Sequence, residues 1–243
     1  IAHRPGFVSP TVLARKAATL DHLTGGRIAL HIISGGGEVE QRRDGDYENH
    51  DRRYARSGEF MSLLRRLWTS DQPIDHKGEF YRFEQAKSDF SCLQEPHVPL
   101  YFGGASEAAL EIGAKECDVY ALWGEPLAEV KTKISDFRKR VKSAGRDPRT
   151  IRFSISTRPI VADTESEAWD LAHSTLEAVL DSGEKSMHGI GKERLESVGS
   201  QRLVHFSKKG DVLDERLYMP IAAATGGAGN TTALVGTAEQ VVR

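Results

Sequence analysis

Two nearby stretches of the sequence carry polar groups where regular structure is expected to end or begin. Ser34 directly follows the apolar run 28–33 and opens a Ser-Gly-Gly-Gly turn. His50 and Tyr54 lie four residues apart at the start of an amphipathic segment, so they are expected on one face of a helix. A hydroxyl, an imidazole, a phenol and flexible glycines suit a ligand that combines a flat ring system with a phosphate. For each feature taken alone, an ordinary turn or a helix-start residue without a ligand stays open.

A second glycine turn, Gly103-Gly104-Ala105-Ser106, follows the apolar run 98–102 and precedes a helix. Ser106 is placed as the N-cap, and the free N–H groups at a helix start attract phosphate. The turn lacks the GxGxxG spacing of dinucleotide-binding folds, and no lysine follows where a P-loop requires one. Ala105 and Ser106 are therefore candidates for a phosphate site, with a plain N-cap as the alternative.

Three further residues are candidates for contacts with a substrate. Arg4 and Arg158 are suited to an anionic group, because a guanidinium offers several donors to the oxygens of an anion. Arg158 is also the candidate for a catalytic role, and Trp123 for a wall of the pocket. Salt bridges for the arginines and core packing for the tryptophan are equal alternatives. A metal site is not expected, because no histidine or cysteine cluster has ligand spacing.

The elements that must position these residues alternate between strand and helix at least four times. Such alternation predicts a parallel sheet with helical crossovers. An open doubly wound sheet would concentrate its ligand at one switch point, whereas a barrel gathers the ends of many strands around one mouth. Polar residues at or near five predicted strand ends favour the barrel: His3 with Arg4, Ser34, Ala105 with Ser106, Trp123 with Glu125, and Arg158.

Several helix starts and irregular segments can be read directly from the sequence. Helix caps are predicted at Ser9, Ser106, Thr164 with Glu167, and Thr237. Insertions are expected around 69–98, with a hairpin turn at 75–78, and around 183–217, with one helix. The polar loop 37–48 and the segment 183–217 are candidates for lids.

Composition excludes several classes of protein. A formal net charge of −2 over 243 residues makes nucleic acid an unexpected partner. No apolar run approaches the ~18 residues that a membrane span needs. Two cysteines are too few for a disulfide scaffold and fit a reducing cytoplasm. We expect one domain over residues 1–243.

Several segments resemble the bacterial luciferase-like flavin monooxygenases, and their alkanesulfonate monooxygenase branch in particular. They are GGRIALHIISGG, NHDRRYARSGEFMSLLRRLW, and residues 4–27, 99–109, 118–126 and 226–236. The match covers almost the whole chain in the family's order. It implies an α/β fold of the TIM (β/α)8 barrel class. Residues 1–5 resemble the end of the family's third strand and 240–243 part of the helix before its last strand, so we expect a partial barrel that lacks N-terminal strands and the last strand.

The resemblance also implies roles for the candidate residues. A hydroxyl at Ser34 would hydrogen-bond the flavin ring system, and His50 and Tyr54 would lie near the flavin chain and its phosphate. The phosphate itself would bind at Ala105 and Ser106. The residues expected near the substrate differ from those of the sulfonate branch. Ser156 and Arg158 stand where that branch has an arginine and a histidine, and Thr225 replaces the arginine before GGAG.

The function that follows is an FMNH2- and O2-dependent monooxygenase of a two-component system. A separate NAD(P)H:flavin reductase would supply reduced FMN, and the substrate would be a small organosulfur compound, such as an alkanesulfonate that yields an aldehyde and sulfite. Alternatives are a flavin monooxygenase for a non-sulfonate substrate, a deazaflavin-dependent oxidoreductase of the same fold, and a non-enzymatic flavin-binding protein. A cytoplasmic homo-oligomer, a dimer or tetramer, is expected, with no membrane partner.

Overall fold

The structure is a computed structural model that describes residues 1–88, 90–186, 197–227, 229 and 231–242. The strands, numbered in chain order over these residues, are β1 (Ala2–His3), β2 (Leu30–Ile32), β3 (Ile74–Lys77), β4 (Arg82–Ala86), β5 (Leu100–Gly103), β6 (Val119–Trp123), β7 (Arg152–Ser156), β8 (Arg158–Val161), β9 (Val212–Leu213), β10 (Leu217–Tyr218) and β11 (Ala233–Gly236). The helices are α1 (Pro10–Thr24), α2 (Glu38–Arg43), α3 (His50–Thr69), α4 (Glu107–Glu116), α5 (Leu127–Ser143), α6 (Glu165–Ser186), α7 (Val198–Ser207), α8 (Pro220–Ala224) and α9 (Ala238–Val241).

The chain divides into two compact units. Unit 1 consists of Ile1–Ala121 and Phe137–Phe153, and unit 2 consists of Leu122–Asp136 and Ser154–Arg243. Within the described ranges, no helix is both long enough and apolar enough to cross a membrane.

Unit 1 is organised by a sheet with the strand order β1-β2-β5-β6-β7. The pairs β1–β2, β2–β5 and β5–β6 are parallel, as the alternation of strands and helices predicts. Because the strands are parallel, the carboxyl ends of β1, β2 and β5 meet at one edge of the sheet. Arg4, Ser34 and the turn at Gly104 follow these ends directly and are therefore neighbours along that edge.

Helix α3 supplies much of the core of unit 1. Its predicted stripe is buried over most of its length, at Ser57, Met61, Leu64 and Trp68. The Trp68 indole donates a hydrogen bond of 3.0 Å to the carbonyl oxygen of Ala14, which ties α3 to α1. The helix begins where the sequence predicts, because the Asn49 side chain caps it by accepting from the N–H of Arg52.

The predicted turn at 75–78 is wrong in its position. Residues 74–77 form β3, and the reversal follows at 78–81 before β4. The Glu59 carboxylate on α3 explains the shift. It accepts hydrogen bonds from the N–H groups of Phe80 and Tyr81 at 3.0 and 3.1 Å, and it contacts the His76 ring at 2.8 Å. A buried acceptor on the packed helix thus fixes where the hairpin turns.

The segment 37–48, expected as an irregular lid, contains a short helix, α2, and is anchored at both ends. The buried Arg53 guanidinium donates to the carbonyl oxygens of Gly36 and Glu48, at 3.1 and 2.6 Å. Arg56 forms an ion pair with the buried Asp46 carboxylate. Two arginines one turn apart on α3 therefore hold the segment against the helix.

Unit 2 is built on a second sheet with the strand order β8-β11-β10-β9. Strands β8 and β11 are parallel, whereas β10 pairs antiparallel with β9 and β11. The sequence predicted one strand over 151–161 with a break at Pro159, but the break lies at Thr157. The Arg158 N–H donates to the Thr232 carbonyl oxygen at 2.8 Å, which shows that β8 pairs with the β11 side instead of continuing β7.

The predicted insertion 183–217 lies only partly within the described residues. Residues 183–186 end α6, residues 187–196 lie outside the described residues, and the remainder contains α7 and β9. Residues 218–224, predicted as strand or extended chain, instead end β10 and form α8, with Pro220 in its first turn. The predicted caps at Thr164 and Thr237 are confirmed by hydrogen bonds to Glu167 and Gln240.

Candidate functional site

The turn after β5 is shaped by two hydroxyl groups and a glycine. The Ser106 side chain caps α4 by accepting from the N–H of Ala109 at 3.3 Å. Gly104 has φ of +152°. The Tyr120 phenol on β6 donates to the Gly104 carbonyl oxygen at 2.6 Å. The neighbouring strand β6 therefore holds the backbone from which α4 begins. Free N–H groups in the first turn of a helix are a common binding site for phosphate.

Tyr54 of α3 approaches the same turn from the helix side. Its hydroxyl lies beside the Ser106 side chain, and its ring lies edge-on to Phe102 at 5.9 Å between centroids. A Cβ atom at Gly104 would lie 2.9 Å from the Tyr54 hydroxyl oxygen, so a larger residue would displace the phenol. Burial raises the pKa of Tyr54, and the Ser106 contact offsets this only in part. The phenol is therefore neutral near pH 7 and suited to donate a hydrogen bond.

His50 lies next to Tyr54 on the exposed end of α3. The two ring centroids are 4.7 Å apart. The Nδ1 atom of His50 is 2.8 Å from a carboxylate oxygen of Asp51. The carboxylate orients the imidazole beside the phenol, so the predicted pair His50 and Tyr54 does form one group with Ser106.

Ser34 is buried at the end of β2 and contacts α3 one turn beyond Tyr54. Its Oγ atom lies 2.9 Å from the Ser57 Oγ atom, and the Ser57 hydroxyl donates to the Arg53 carbonyl oxygen at 2.9 Å. Because Ser57 uses its only hydroxyl proton on Arg53, Ser34 is the donor in the serine pair. The Ser34 oxygen is then left with acceptor capacity, which matches an N–H group of a ligand.

Arg4 follows β1 and is engaged by the segment after β2. Its guanidinium forms an ion pair with Asp44, donates to the Gln41 side chain at 3.3 Å, and lies over the Phe7 ring at 4.7 Å. A salt bridge was the structural alternative considered for Arg4 from the sequence, and these contacts match it. A contact with substrate stays a prediction.

The remaining candidates belong to unit 2. Trp123, the last residue of β6, packs against the start of α7 at Gly199 and against Gly229, where a Cβ atom would lie 2.7 Å from the indole. Arg158 is exposed and is the first residue of β8, two residues beyond the end of β7. The structure thus unites the cofactor candidates of unit 1, whereas the substrate and catalytic assignments of Trp123 and Arg158 stay predictions.

Glu125 forms buried ion pairs that the sequence did not predict. Its carboxylate is buried and forms ion pairs with Lys133 and with Arg202 of α7, the latter at 2.8 Å. Burial raises the pKa of Glu125, but the hydrogen bonds from the two cations outweigh it, so the pKa lies below its ordinary value of 4.5. The buried charge fixes α7 to the loop that follows Trp123.

Sequence reasoning missed Tyr120 and Arg53, although both shape the site. Tyr120 lies within an apolar strand, where its phenol gives no periodic signal, and Arg53 is one of several arginines in a polar helix start. A burial estimate for each face of α3 would have singled out Arg53, since a buried guanidinium needs partners. Among the described residues, no group of three or more His, Cys, Asp or Glu side chains is arranged to hold a metal ion.

Comparisons with known proteins identify a family and a fold for the chain. A family model described as luciferase-like monooxygenase matches residues 1–243. The chain is similar to EDTA monooxygenase from Chelativorans sp. BNC1, with a TM-score of 0.75 and 18% identity over 99% of this chain and 62% of that chain. It is also similar to a riboflavin lyase with modified FMN and riboflavin, with a TM-score of 0.70 and 20% identity over 99% and 60% of the two chains.

A third similar structure is an F420-dependent secondary alcohol dehydrogenase in complex with an F420–acetone adduct. Its TM-score is 0.63 and its identity 20%, over 97% of this chain and 64% of that chain. At these identities the likeness shows the fold alone. The chain spans about three-fifths of the length of these three structures.

Proposed function

Because a model of the luciferase-like monooxygenase family matches residues 1–243, the chain belongs to that family, and on this premise we propose that it is the FMN-dependent oxygenase component of a two-component monooxygenase. Membership confirms the predicted fold class, the luciferase-like (β/α)8 barrel. The observation that supports the cofactor proposal is the position of the Tyr54 hydroxyl, which lies beside Gly104 and Ser106 at the start of α4. When bound, reduced FMN supplies the reducing power with which one atom of O2 is inserted into the substrate.

The proposed phosphate site consists of the turn at Ala105 and Ser106, the Tyr54 phenol and the His50 imidazole. Three features suit a phosphate here. The first-turn N–H groups of α4 carry a partial positive charge, the phenol is a neutral donor, and Gly104 leaves the turn without a side chain. The exposed His50 imidazole adds a ring that can donate a hydrogen bond beside the phenol.

The proposed ring site lies along the same sheet edge at the end of β2. Ser34 offers acceptor capacity, because its proton is used by Ser57. Gly35 has φ of +95°, and the buried Gln41 side chain fills the space that a Cβ atom would need, so only glycine fits this turn. These residues would bind and orient the flavin ring and would exclude water from one side of it.

The proposed substrate is an organosulfur anion such as an alkanesulfonate, with Arg4 and Trp123 as binding residues and Arg158 in the catalytic role. A guanidinium is matched to the three oxygens of a sulfonate and would hold the anion by charge-assisted hydrogen bonds. The departure at Ser156 argues for a substrate that differs from those of the sulfonate branch. A luciferase-like monooxygenase for a non-sulfonate compound is therefore the nearest alternative.

The proposed partner is an NAD(P)H:flavin reductase that delivers reduced FMN, and the proposed setting is the cytoplasm, with a homo-oligomer as the assembled form. A deazaflavin-dependent hydride transfer is the second candidate function. The similarity to an F420-dependent alcohol dehydrogenase supports it at the level of the fold.

The deciding experiment measures oxygen uptake and sulfite release by the full-length protein with a flavin reductase, NADH, FMN and a panel of alkanesulfonates. Substrate-dependent oxygen uptake with stoichiometric sulfite supports the full proposal. Substrate-dependent oxygen uptake without sulfite, when the panel is widened to sulfones and alkanes, supports a different substrate. Tight binding of deazaflavin in preference to reduced FMN, with no oxygen uptake, rejects the oxygenase proposal.

A further inference from the structure

Unit 2 contains a surface cavity of about 670 Å³ whose lining includes three aromatic rings. Trp169 and His173 of α6 and Tyr218 of β10 form a triangle with nearly equal sides. The ring centroids are 6.3 Å apart for Trp169 and His173, 5.8 Å for Trp169 and Tyr218, and 6.0 Å for His173 and Tyr218. None of these residues belongs to the proposed FMN or substrate contacts.

The three rings are held in fixed orientations. Trp169 and His173 are four residues apart on α6 and are inclined by 30° to each other, and both meet Tyr218 edge-on at 77°. Tyr218 is buried in the core of unit 2, and the partly buried Trp169 side chain packs against that core. A ligand would therefore meet aromatic walls that are already ordered, which lowers the entropic cost of binding.

One negative charge accompanies the rings. Asp211 lines the same cavity, and its carbonyl oxygen accepts from the Met219 N–H at 2.8 Å, which fixes it beside β10. Burial raises the pKa of Tyr218, and the nearby Asp211 charge raises it further. Within the described parts of the chain, the Asp211 carboxylate has no ion-pair partner closer than 4.0 Å. Leu176 and Pro220 contribute apolar surface to the lining.

We propose that this cavity binds a small quaternary ammonium compound. The faces of tryptophan, tyrosine and histidine attract a cation through their ring quadrupoles, and methyl groups on the nitrogen can pack against them. The carboxylate supplies the counter-charge at the rim. A primary ammonium would fit less well, because the single Asp211 carboxylate cannot satisfy all of its N–H donors and ring faces would not replace the lost hydration.

The competing explanation is that the rings only cover the core cluster beneath them. The two explanations predict different effects of the charge of a ligand on its affinity. An apolar cover would bind a neutral molecule of the same shape equally well, whereas a cation site would not. Choline and its neutral isostere 3,3-dimethylbutan-1-ol form the matched pair of probes.

Titration calorimetry of the full-length protein with both probes is the test. We expect choline to bind at least about tenfold more tightly than the isostere, because the cation–π and carboxylate contacts act on choline alone. Equal binding of the two probes, or no choline binding at millimolar concentrations, would overturn the proposal.

Variants locate the site. Asp211→Asn and His173→Ala change exposed residues and should each weaken choline binding about threefold to tenfold, while binding of the isostere stays unchanged for Asp211→Asn. Asp181→Asn, on the exposed surface of the same helix and outside the cavity lining, is the control and should bind choline as the wild type does. Identical choline affinity in Asp211→Asn and Asp181→Asn would reject the assignment, provided that both variants melt as the wild type does.

Discussion

The Tyr120 phenol donates a hydrogen bond of 2.6 Å to the carbonyl oxygen of Gly104, across from β6 to the turn after β5. Burial raises the pKa of Tyr120, so the phenol stays a neutral donor throughout the physiological range. The bond holds the turn that lies beside Tyr54 and leads into α4. A residue outside the predicted site therefore controls the geometry of the predicted phosphate contacts.

Tyr120→Phe should lower the free energy of unfolding by about 1 kcal/mol, since the Gly104 carbonyl oxygen loses its donor. It should also weaken FMN binding, because the turn is no longer held. Urea unfolding and fluorescence titration with FMN measure the two effects. Tyr101→Phe, on the neighbouring strand β5, is the control, because the Tyr101 hydroxyl has no hydrogen bond to any described residue. Equal loss in both variants would contradict the role of Tyr120.

Tyr54→Phe and Ser106→Ala should each raise the Kd for FMN about fivefold, because each removes one hydroxyl from the proposed phosphate site. The two hydroxyls are neighbours and would share one ligand, so the double variant should lose less than the sum of the two single losses. Ser106→Ala also removes a helix cap, which should cost about 1 kcal/mol of stability.

The control for this cycle is Tyr47→Phe, since the Tyr47 side chain is 77% exposed. It should leave the Kd for FMN unchanged. Strictly additive losses for Tyr54 and Ser106 would show that the two hydroxyls do not act together on one ligand.

Glu125→Gln should lower the free energy of unfolding at pH 7 by about 2–3 kcal/mol. The change leaves Lys133 and Arg202 facing each other without the buried carboxylate, and both cations are partly exposed, which keeps the loss below that of a fully buried pair. The folded-state pKa of Glu125 is depressed, so its stabilising contribution is present above pH 4.5 and is lost as the pH falls through the folded-state pKa. Wild type and variant should therefore converge in stability in acid.

Urea unfolding at a series of pH values checks both statements. Glu129→Gln is the matched control, because Glu129 is 39% exposed and contacts Arg202 only at 3.4 Å. It should change the free energy of unfolding by no more than about 0.5 kcal/mol at any pH. A stability difference for Glu125→Gln that stays constant down to pH 3 would refute the assigned pKa direction.

Gly227→Ala should be more destabilising than Gly226→Ala, although both glycines have positive φ, +71° and +65°. Both substitutions introduce left-handed strain of about 1 kcal/mol. Only at Gly227 would the new Cβ atom collide with the backbone of Ser200 in α7, whereas Gly226 faces open space. Thermal melting of the two variants gives the comparison, and equal melting temperatures would argue against tight packing of the glycine loop on α7.

Local signals in the sequence were sufficient for most helix starts and for the parallel strands. Asn49, Ser106, Thr164 and Thr237 cap helices in the structure because their side chains bond N–H groups within three residues. The hairpin turn was misplaced, since its position depends on Glu59, which is distant in sequence. Long-range acceptors of this kind leave no trace in local composition.

By itself, the sequence determined the alternation of strands and helices, most of the helix caps, and the hydroxyl and ring types of the proposed flavin site at Ser34, His50, Tyr54 and Ser106. Only the tertiary structure decided that Tyr54 lies beside Ser106, that Ser34 keeps acceptor capacity through Ser57, and that Arg4 is paired with Asp44. The physical reason is the separation in sequence between the residues that interact. Capping and periodicity act over three or four residues, whereas the direction of a buried hydrogen bond depends on which distant partner packing brings within about 3 Å.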